Sequence, residues 1–152
     1  MHYDSKKIQI KHLEKEDVSI FQKLIRLFQE VFEYSKPVII EDLYLKTLLS
    51  KPDFIVYAAF HGNEIVGGLT AYVLPSYYAA TSEIFIYDIA VKAAHQRTGI
   101  GKRLLKSLQE YCKEKGIQEI FVAANKEDLH ALDFYRSTGG KAEKVVHFTY
   151  FF

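Results

Sequence analysis

Residues 83–115 read EIFIYDIAVKAAHQRTGIGKRLLKSLQEYCKEK. The stretch opens with a run of β-branched and aromatic residues, 84–91, whose length and composition are typical of a strand buried on both faces. Asp88 is the one charged residue within that run. After a polar turn, apolar residues recur at the spacing of one helix face, at Ile100, Leu104, Leu105, Leu108, Tyr111 and Cys112. The stretch therefore predicts a buried strand, a glycine-containing turn and a helix.

The turn between this strand and this helix is suited to binding an anion. The first N–H groups of a helix have no partner inside the helix and carry the positive end of its dipole. Two phosphate-binding patterns do not fit the spacing. A nucleoside-triphosphate loop requires Ser or Thr after Gly-Lys, whereas Arg103 follows Lys102 here. A dinucleotide-binding turn requires a third glycine where Leu104 stands.

A third pattern matches every position of the turn. Residues 96–101, Gln-Arg-Thr-Gly-Ile-Gly, have the Gln/Arg-x-x-Gly-x-Gly form of the coenzyme A pyrophosphate loop, and the chain resembles the GCN5-related N-acetyltransferase (GNAT) family. The resemblance implies that backbone N–H groups of this loop hold the pyrophosphate of acetyl-CoA and that the end of the preceding strand pairs with the pantetheine. It implies no metal. The implied contact residues are Ile89, Ala90, Val91, Gln96, Arg97, Thr98, Gly99, Ile100, Gly101, Lys102, Asn125, Ala131 and Tyr135.

A second motif of the family lies downstream. Residues 128–139 resemble the family's helix that ends in Tyr with a Gly four residues later, which aligns Tyr135 with the phenol that reprotonates coenzyme A. A phenol keeps its proton at neutral pH and can give it to a departing thiolate. The alternative is a purely structural role for Tyr135 in the core. Asp128 stands where many family members have Asn.

Asp88 is the first candidate for the base that deprotonates the acceptor amine. An unpaired carboxylate is costly to bury, so Asp88 is expected to face a polar cavity or a partner. Strand alternation puts its side chain on one face of the sheet. That face is expected to be shared with Ile84, Ile86 and Ala90, and the opposite face to carry Tyr87 and Ile89. Glu83, directly or through a water, is the second candidate base, and His147 is a weaker third.

The remaining patterns predict an α/β protein with an α+β mixed sheet. The element order is β, α, α, β, β, β, α, β, α, β, with antiparallel hairpins first and a βαβ unit later. We expect Asp17 to cap the first helix and Gly116 to cap the third. The expected final strand covers residues 143–151. This is the layout of the GNAT acyl-CoA N-acyltransferase fold, three α/β/α layers with splayed central strands, in a single domain over residues 1–152.

Composition bounds the function. The 152 residues are 49% hydrophobic with a formal net charge of +1, which fits one globular domain. Without a charge block, binding to nucleic acid or to a membrane surface has no electrostatic support. A single cysteine, Cys112, is expected to be a buried free thiol, which favours a reducing, cytoplasmic compartment. The polar N-terminus predicts no signal peptide, and no apolar run is long enough to span a membrane.

From about Leu48 onward the chain resembles the aminoglycoside 3-N-acetyltransferase branch of the family, on residues 71–75, 82–91, 128 and 146–148. The resemblance implies acetylation of a small-molecule amine, with the 3-amino group of an aminoglycoside favoured and antibiotic resistance as the consequence. A polycationic acceptor would be attracted by carboxylates, for which the candidates are Glu33, Glu41, Asp42, Glu83 and Asp88.

Two other functions stay as alternatives. One is a GNAT enzyme for another acceptor, such as a polyamine, an amino acid or a protein N-terminus. The other is a coenzyme A-binding module without turnover. If exposed, the apolar C-terminal side chains would provide a homodimer interface, formed by Phe148, Tyr150, Phe151 and Phe152.

Overall fold

The computed structural model describes residues 7–152. Within this range, residues 7–122 form one compact unit and residues 123–152 a second. The single domain expected over residues 1–152 stays a prediction. The strands are β1 (Ile8–His12), β2 (Phe54–His61), β3 (Glu64–Pro75), β4 (Ser82–Val91) and β5 (Glu119–Val122). The α-helices are α1 (Val18–Val31), α2 (Asp42–Leu49), α3 (Ile100–Lys115) and α4 (Leu129–Ser137).

The five strands form one mixed sheet in chain order. The first four are antiparallel, and β5 lies parallel to β4, as the predicted βαβ unit requires. β4 pairs with β3 along its whole length but with β5 only over residues 83–86. Beyond Ile86, β4 therefore has no strand partner on its β5 side within residues 7–152. This unpaired edge is the splay expected for the central strands.

Helices cover both faces of this sheet, as predicted. One core contains Ile84 and Ile86 of β4 together with the apolar face of α3. The other core contains Leu24 of α1, Leu45 of α2 and Ala90 of β4. Because apolar side chains are buried on both faces, the sheet is the middle of three layers.

The face of β4 on which Asp88 lies differs from the prediction. Thr70 of β3 is opposite Asp88, whereas the next residue of β3 is opposite Ile86, so Tyr87 is an extra residue in a β-bulge. The bulge breaks the alternation of side chains. Asp88 consequently lies on the α1 side of the sheet with Ala90, and the prediction that it shares a face with Ile84 and Ile86 is wrong. Tyr87 lies on the same side as Asp88, also against the prediction, whereas Ile89 packs against the α3 core as expected.

Asp17 precedes α1 as expected, but its carboxylate does not cap the helix. It accepts hydrogen bonds from the Glu14 N–H at 2.9 Å and from Lys11 Nζ at 2.6 Å. The prediction of a side-chain cap is therefore wrong, because the turn from β1 and the ion pair engage both oxygens. Gly116 does end α3 in the left-handed conformation, with φ +70°, as predicted.

Residues 143–151 do not form the predicted strand. A strand requires a neighbour that supplies ladder hydrogen bonds, so β propensity alone does not form one. The apolar side chains of Phe148, Tyr150, Phe151 and Phe152 are exposed, and a homodimer formed through them stays a prediction. Cys112 is buried, as expected. Among the helices of residues 7–152, none has the length and apolar composition needed to cross a bilayer.

We predict that Gly68→Ala destabilises the protein. A Cβ at Gly68 would collide with the Leu24 methyl groups of α1 and lie 2.9 Å from the Tyr57 carbonyl oxygen. Overpacking of this kind typically costs about 1–3 kcal/mol of unfolding free energy, which thermal denaturation would detect. Gly62→Asn is the control, because Gly62 has φ +60° and open space around it, and Asn tolerates this conformation. An unchanged melting temperature for Gly68→Ala would contradict the close approach of α1 to the sheet.

Candidate active site

The predicted cofactor loop connects β4 to α3 and is fixed by its own side chains. Gln96 Nε2 donates a hydrogen bond to the Val91 carbonyl at 3.0 Å, and the Thr98 hydroxyl donates to the His95 carbonyl. Arg97 and Gly99 both have left-handed backbone, with φ +59° and +87°. The side chain of Gln96 therefore holds the loop in place.

The loop ends in a set of backbone donors at the start of α3. The Arg103 N–H makes the first helical bond, to the Gly99 carbonyl at 3.1 Å. The N–H groups of Ile100, Gly101 and Lys102 come before that bond, so the helix offers them no acceptor. Ile100 is only 1% exposed, which anchors this turn in the α3 core. Together with the unpaired edge of β4, these donors fit a pyrophosphate joined to an extended chain of amides.

An ion pair that sequence analysis did not identify holds the start of the loop. Lys92 Nζ lies 2.8 Å from Glu64 Oε1 at the beginning of β3. The Lys92 N–H also donates to the Val66 carbonyl at 2.8 Å. The chain therefore leaves β4 tied to the β2–β3 hairpin before it enters the loop.

Asp88 lines a cavity of about 200 Å³ on the α1 side of the sheet. The Asp88 N–H donates to Thr70 Oγ1 at 3.2 Å, which fixes the backbone at the bulge. No Lys, Arg or His is among the described residues that line the cavity. The carboxylate thus faces a mainly aromatic space without a protein cation. The aromatic lining consists of Phe21, Phe28, Phe32, Tyr34, Phe54, Tyr72 and Tyr87.

The cavity shifts the acid–base properties of its polar groups. Burial raises the pKa of the Asp88 carboxyl above its ordinary value. Burial also raises the pKa of the Tyr72 phenol, and nearby Tyr87, Tyr44 and Asp88 add to that effect. A carboxylate with a raised pKa binds a proton more tightly than an exposed one, which suits a group that takes a proton from an amine.

Glu83, the second predicted base, lies elsewhere. It stands at the start of β4, in register with Glu119 of β5, and does not line the Asp88 cavity. Asp88 is five residue steps further along the strand, a path of about 16 Å. Of the five carboxylates expected to surround a polycationic acceptor, only Asp88 lines this cavity. Glu33, Glu41, Asp42 and Glu83 do not.

The second predicted motif is formed locally in the unit of residues 123–152. Asp128 Oδ1 accepts from the Ala131 N–H at 3.0 Å and caps α4. Tyr135 lies half-buried near the end of that helix, and its carbonyl accepts from the Gly140 N–H at 2.9 Å. Gly139 takes the left-handed conformation, with φ +93°. The cofactor contacts expected of Asn125, Ala131 and Tyr135, and the role of Tyr135 as a proton donor, stay predictions.

The family is decided by comparison with known proteins. The sequence profile of the Acetyltransferase (GNAT) family matches residues 21–139. The chain belongs to this family. GNAT enzymes use acetyl-CoA, so the anion-binding loop and the unpaired β4 edge lie in the fold of an acetyltransferase.

Relatives support the GNAT assignment. The uncharacterized N-acetyltransferase YvbK of Bacillus subtilis (strain 168) is 32% identical over 91 residues, which are 60% of this chain and 56% of YvbK. The chain spans about half the length of the curated relatives it matches. The crystal structure of the aminoglycoside acetyltransferase meta-AAC0020, from an uncultured soil metagenomic sample and in complex with sisomicin, is 43% identical with a TM-score of 0.95 over 99% of both chains. The aminoglycoside acetyltransferase HMB0005, from a similar source, is 35% identical with a TM-score of 0.90, over 94% of this chain and 97% of that one.

The aromatic lining of the Asp88 cavity was missed by sequence analysis. Phe21 and Phe28 have helical spacing, which predicts a core face but does not separate core residues from cavity-lining residues. The sequence did not identify Thr70 as a site residue either, because a threonine within an apolar strand is usually only a buried structural residue. The bulge that brings Tyr87 beside Asp88 depends on pairing with β3, which the sequence of β4 does not contain.

We predict that Asp88→Asn does not destabilise the GNAT fold at neutral pH. Because burial raises the folded-state pKa, the folded protein binds a proton more readily than the unfolded chain. Stability from this group is therefore present at low pH and is lost as pH rises from the ordinary carboxyl range through the folded pKa. The variant lacks that loss, so its melting temperature should equal or exceed the parent's at pH 7, with the advantage shrinking toward pH 3.

Thermal melts of parent and variant from pH 3 to pH 8, without ligands, measure this difference. Glu83→Gln on the same strand controls for removing a negative charge outside the cavity. An Asp88→Asn protein that melts below the parent at pH 7 would show that the carboxylate stabilises the fold.

Proposed function

We propose that this GNAT enzyme transfers the acetyl group of acetyl-CoA to an amine of an aminoglycoside, with the 3-amino group as the favoured position. The observation that carries the proposal is the Asp88 carboxylate, which lines a cavity at the point where β4 loses its second neighbour. Among the residues of 7–152 that line this cavity, none is Lys, Arg or His. A positively charged amine is the complement of such a site. The 43% identity to meta-AAC0020, whose structure contains sisomicin, supports an aminoglycoside as the acceptor. The choice of the 3-amino group rests on the resemblance of residues 82–91 to that branch.

Two parts of the chain would hold the donor substrate. The N–H groups from Arg97 to Lys102 would bind the pyrophosphate, with Gly99 providing the left-handed turn that directs them. The β4 edge from Ile89 to Val91 would pair with the pantetheine amides as a strand would. When bound, acetyl-CoA supplies an activated acetyl thioester.

Two residues of the chain would then act in proton transfer, one as a base and one as an acid. Asp88 takes a proton from the ammonium, which leaves a neutral amine able to attack the thioester carbonyl. A C–N bond forms, the C–S bond breaks, and the electron pair of that bond leaves on sulfur. The new amide nitrogen releases its second proton to solvent. Tyr135 then donates its phenolic proton to the thiolate, a role that rests on the resemblance of residues 128–139 to the family motif. Solvent later returns a proton to the Tyr135 phenolate. The products are an acetamide and a free thiol.

The proposal is tested by measuring thiol release from acetyl-CoA with four classes of acceptor. The panel contains sisomicin, spermidine, an amino acid and a peptide with a free N-terminus. We expect sisomicin to give the highest kcat/KM and a singly acetylated product, whose position is assigned by NMR. A higher kcat/KM with another class would overturn the acceptor, and acetylation of sisomicin at a different nitrogen would overturn only the 3-amino assignment.

We predict that Asp88→Asn lowers kcat most strongly near neutral pH. The loss of a general base typically costs about 10²- to 10⁴-fold, and part of it should be recovered in alkaline buffer because more of the acceptor is uncharged there. The pH–rate profiles of parent, Asp88→Asn and the control Glu83→Gln measure the effect. A constant ratio of variant to parent rates from pH 6 to pH 10 would rule out proton transfer to Asp88.

We predict that Tyr135→Phe lowers kcat while leaving the binding of acetyl-CoA nearly unchanged. The substitution removes a proton donor but little packing, and general-acid catalysis is typically worth about 10²- to 10⁴-fold. Steady-state kinetics give kcat, and the rise in melting temperature with acetyl-CoA reports binding. Tyr78→Phe, at an exposed tyrosine of the β3–β4 loop, is the control. Turnover at the parent rate would assign the proton to another donor.

A further inference from the structure

A second cavity adjoins the Asp88 cavity. It has a volume of about 610 Å³ and lies between α1 and residues 34–40, and we call it the α1 groove. The two cavities share three lining residues, Ile25, Gln29 and Tyr34. The α1 groove is therefore the adjoining space for the body of a molecule whose amine lies beside Asp88.

The outer wall of the groove is built from apolar residues held in exposed positions. Val38 and Ile39 are 56% and 85% exposed. Gln29 Nε2 of α1 donates to the Val38 carbonyl at 2.9 Å. Two turns earlier on α1, Gln22 Nε2 donates to the Ile40 carbonyl at 3.4 Å and to Asp42. These bonds tie the wall to α1 at two points, which keeps the apolar side chains over the groove.

The charge of the groove does not match a polycation. Its lining contains one acid, Glu30, and one base, Arg26, and the other lining side chains are uncharged. Further ammonium groups of an acceptor would find no net negative charge there. Aliphatic lining from Ile25, Val38 and Ile39 instead offers hydrophobic contact to an uncharged body.

The sizes of the two cavities also fit an acceptor with a small amine-bearing end and a larger body. Pockets that enclose a drug-sized ligand have volumes of about 300–1,000 Å³. The Asp88 cavity, at about 200 Å³, is below that range and fits the amine-bearing end of an acceptor. The α1 groove, at about 610 Å³, lies within the range and has room for the rest.

We propose that the enzyme also acetylates amphipathic primary amines, with the ammonium beside Asp88 and an alkyl or aryl body in the α1 groove. This inference rests on the proposed place of the acceptor amine at Asp88. The reaction is the same transfer: a C–N bond forms, the C–S bond of acetyl-CoA breaks, the ammonium proton goes to Asp88 and the thiolate is protonated. Hydrophobic contact in the groove supplies the binding that additional carboxylates would supply for a polycation.

Unbranched primary amines from ethylamine to octylamine test the proposal, with sisomicin assayed in parallel. Full burial of a methylene group strengthens binding by about fourfold, so a half-open groove should raise kcat/KM by about two- to fourfold for each added carbon. Ile39→Asp places a charge on the wall and should flatten this series. Leu43→Asp is the matched control, because Leu43 is an equally apolar residue, 74% exposed on α2, that does not line the groove. Melting temperatures verify that both variants fold.

Each outcome separates this inference from the aminoglycoside proposal. A kcat/KM that does not change with chain length, alongside acetylation of sisomicin, would overturn the groove and leave the proposed function standing. A rising series without acetylation of sisomicin would support the groove and overturn the aminoglycoside. If Ile39→Asp and Leu43→Asp lower the octylamine rate equally, the α1 groove does not bind the acceptor body.

Discussion

The β-bulge at Tyr87 is the constraint on which the site depends. One extra residue in β4 shifts the pairing with β3, so the even-numbered side chains of β4 change from one face of the sheet to the other at the bulge. Upstream of the bulge, Ile84 and Ile86 face the α3 core. Downstream, Asp88 and Ala90 face α1. Pairing between β4 and β5 also ends at Ile86, so one short stretch both redirects a carboxylate and releases a backbone edge.

In the proposed reaction, the two sides of the sheet would serve two different substrates. The α3 side carries the loop whose N–H groups precede the first helical bond, and the buried Ile100 fixes that loop to the core. The α1 side carries the Asp88 cavity. The unpaired edge of β4 lies between them, so an acetyl group carried along that edge would meet an amine that arrives from the other face. In the proposed reaction, the sheet would keep the anionic donor and the cationic acceptor apart until the point of transfer.

The α1 side of the sheet, proposed to receive the acceptor, combines the Asp88 carboxylate with a largely apolar cavity lining. Its aromatic lining raises the pKa of Asp88 by burial, and the lining contains no Lys, Arg or His among the residues described. Such a carboxylate costs stability but gains basicity and attracts a cation, a trade that is common at functional sites. Gly68 helps to position α1 against the sheet, because the lack of a side chain there lets Leu24 of α1 approach closely.

The sequence by itself determined the elements and chemistry that depend on local pattern. Hydrophobic periodicity predicted the central strand and α3, and the order and connections of the elements predicted the mixed sheet. The glycines Gly99 and Gly101 between that strand and that helix predicted a turn suited to an anion. The sequence also identified Asp88, because a charge within an apolar strand is conspicuous without any knowledge of its neighbours. Tertiary structure decided the face on which Asp88 lies, since a bulge depends on how two strands pair and not on the residues of one. It likewise decided that residues 143–151 form no strand, because ladder hydrogen bonds need a partner. Tertiary structure also decided that Phe21 and Phe28 line a cavity. The sequence could not show this, because core residues and cavity-lining residues share the same helical spacing.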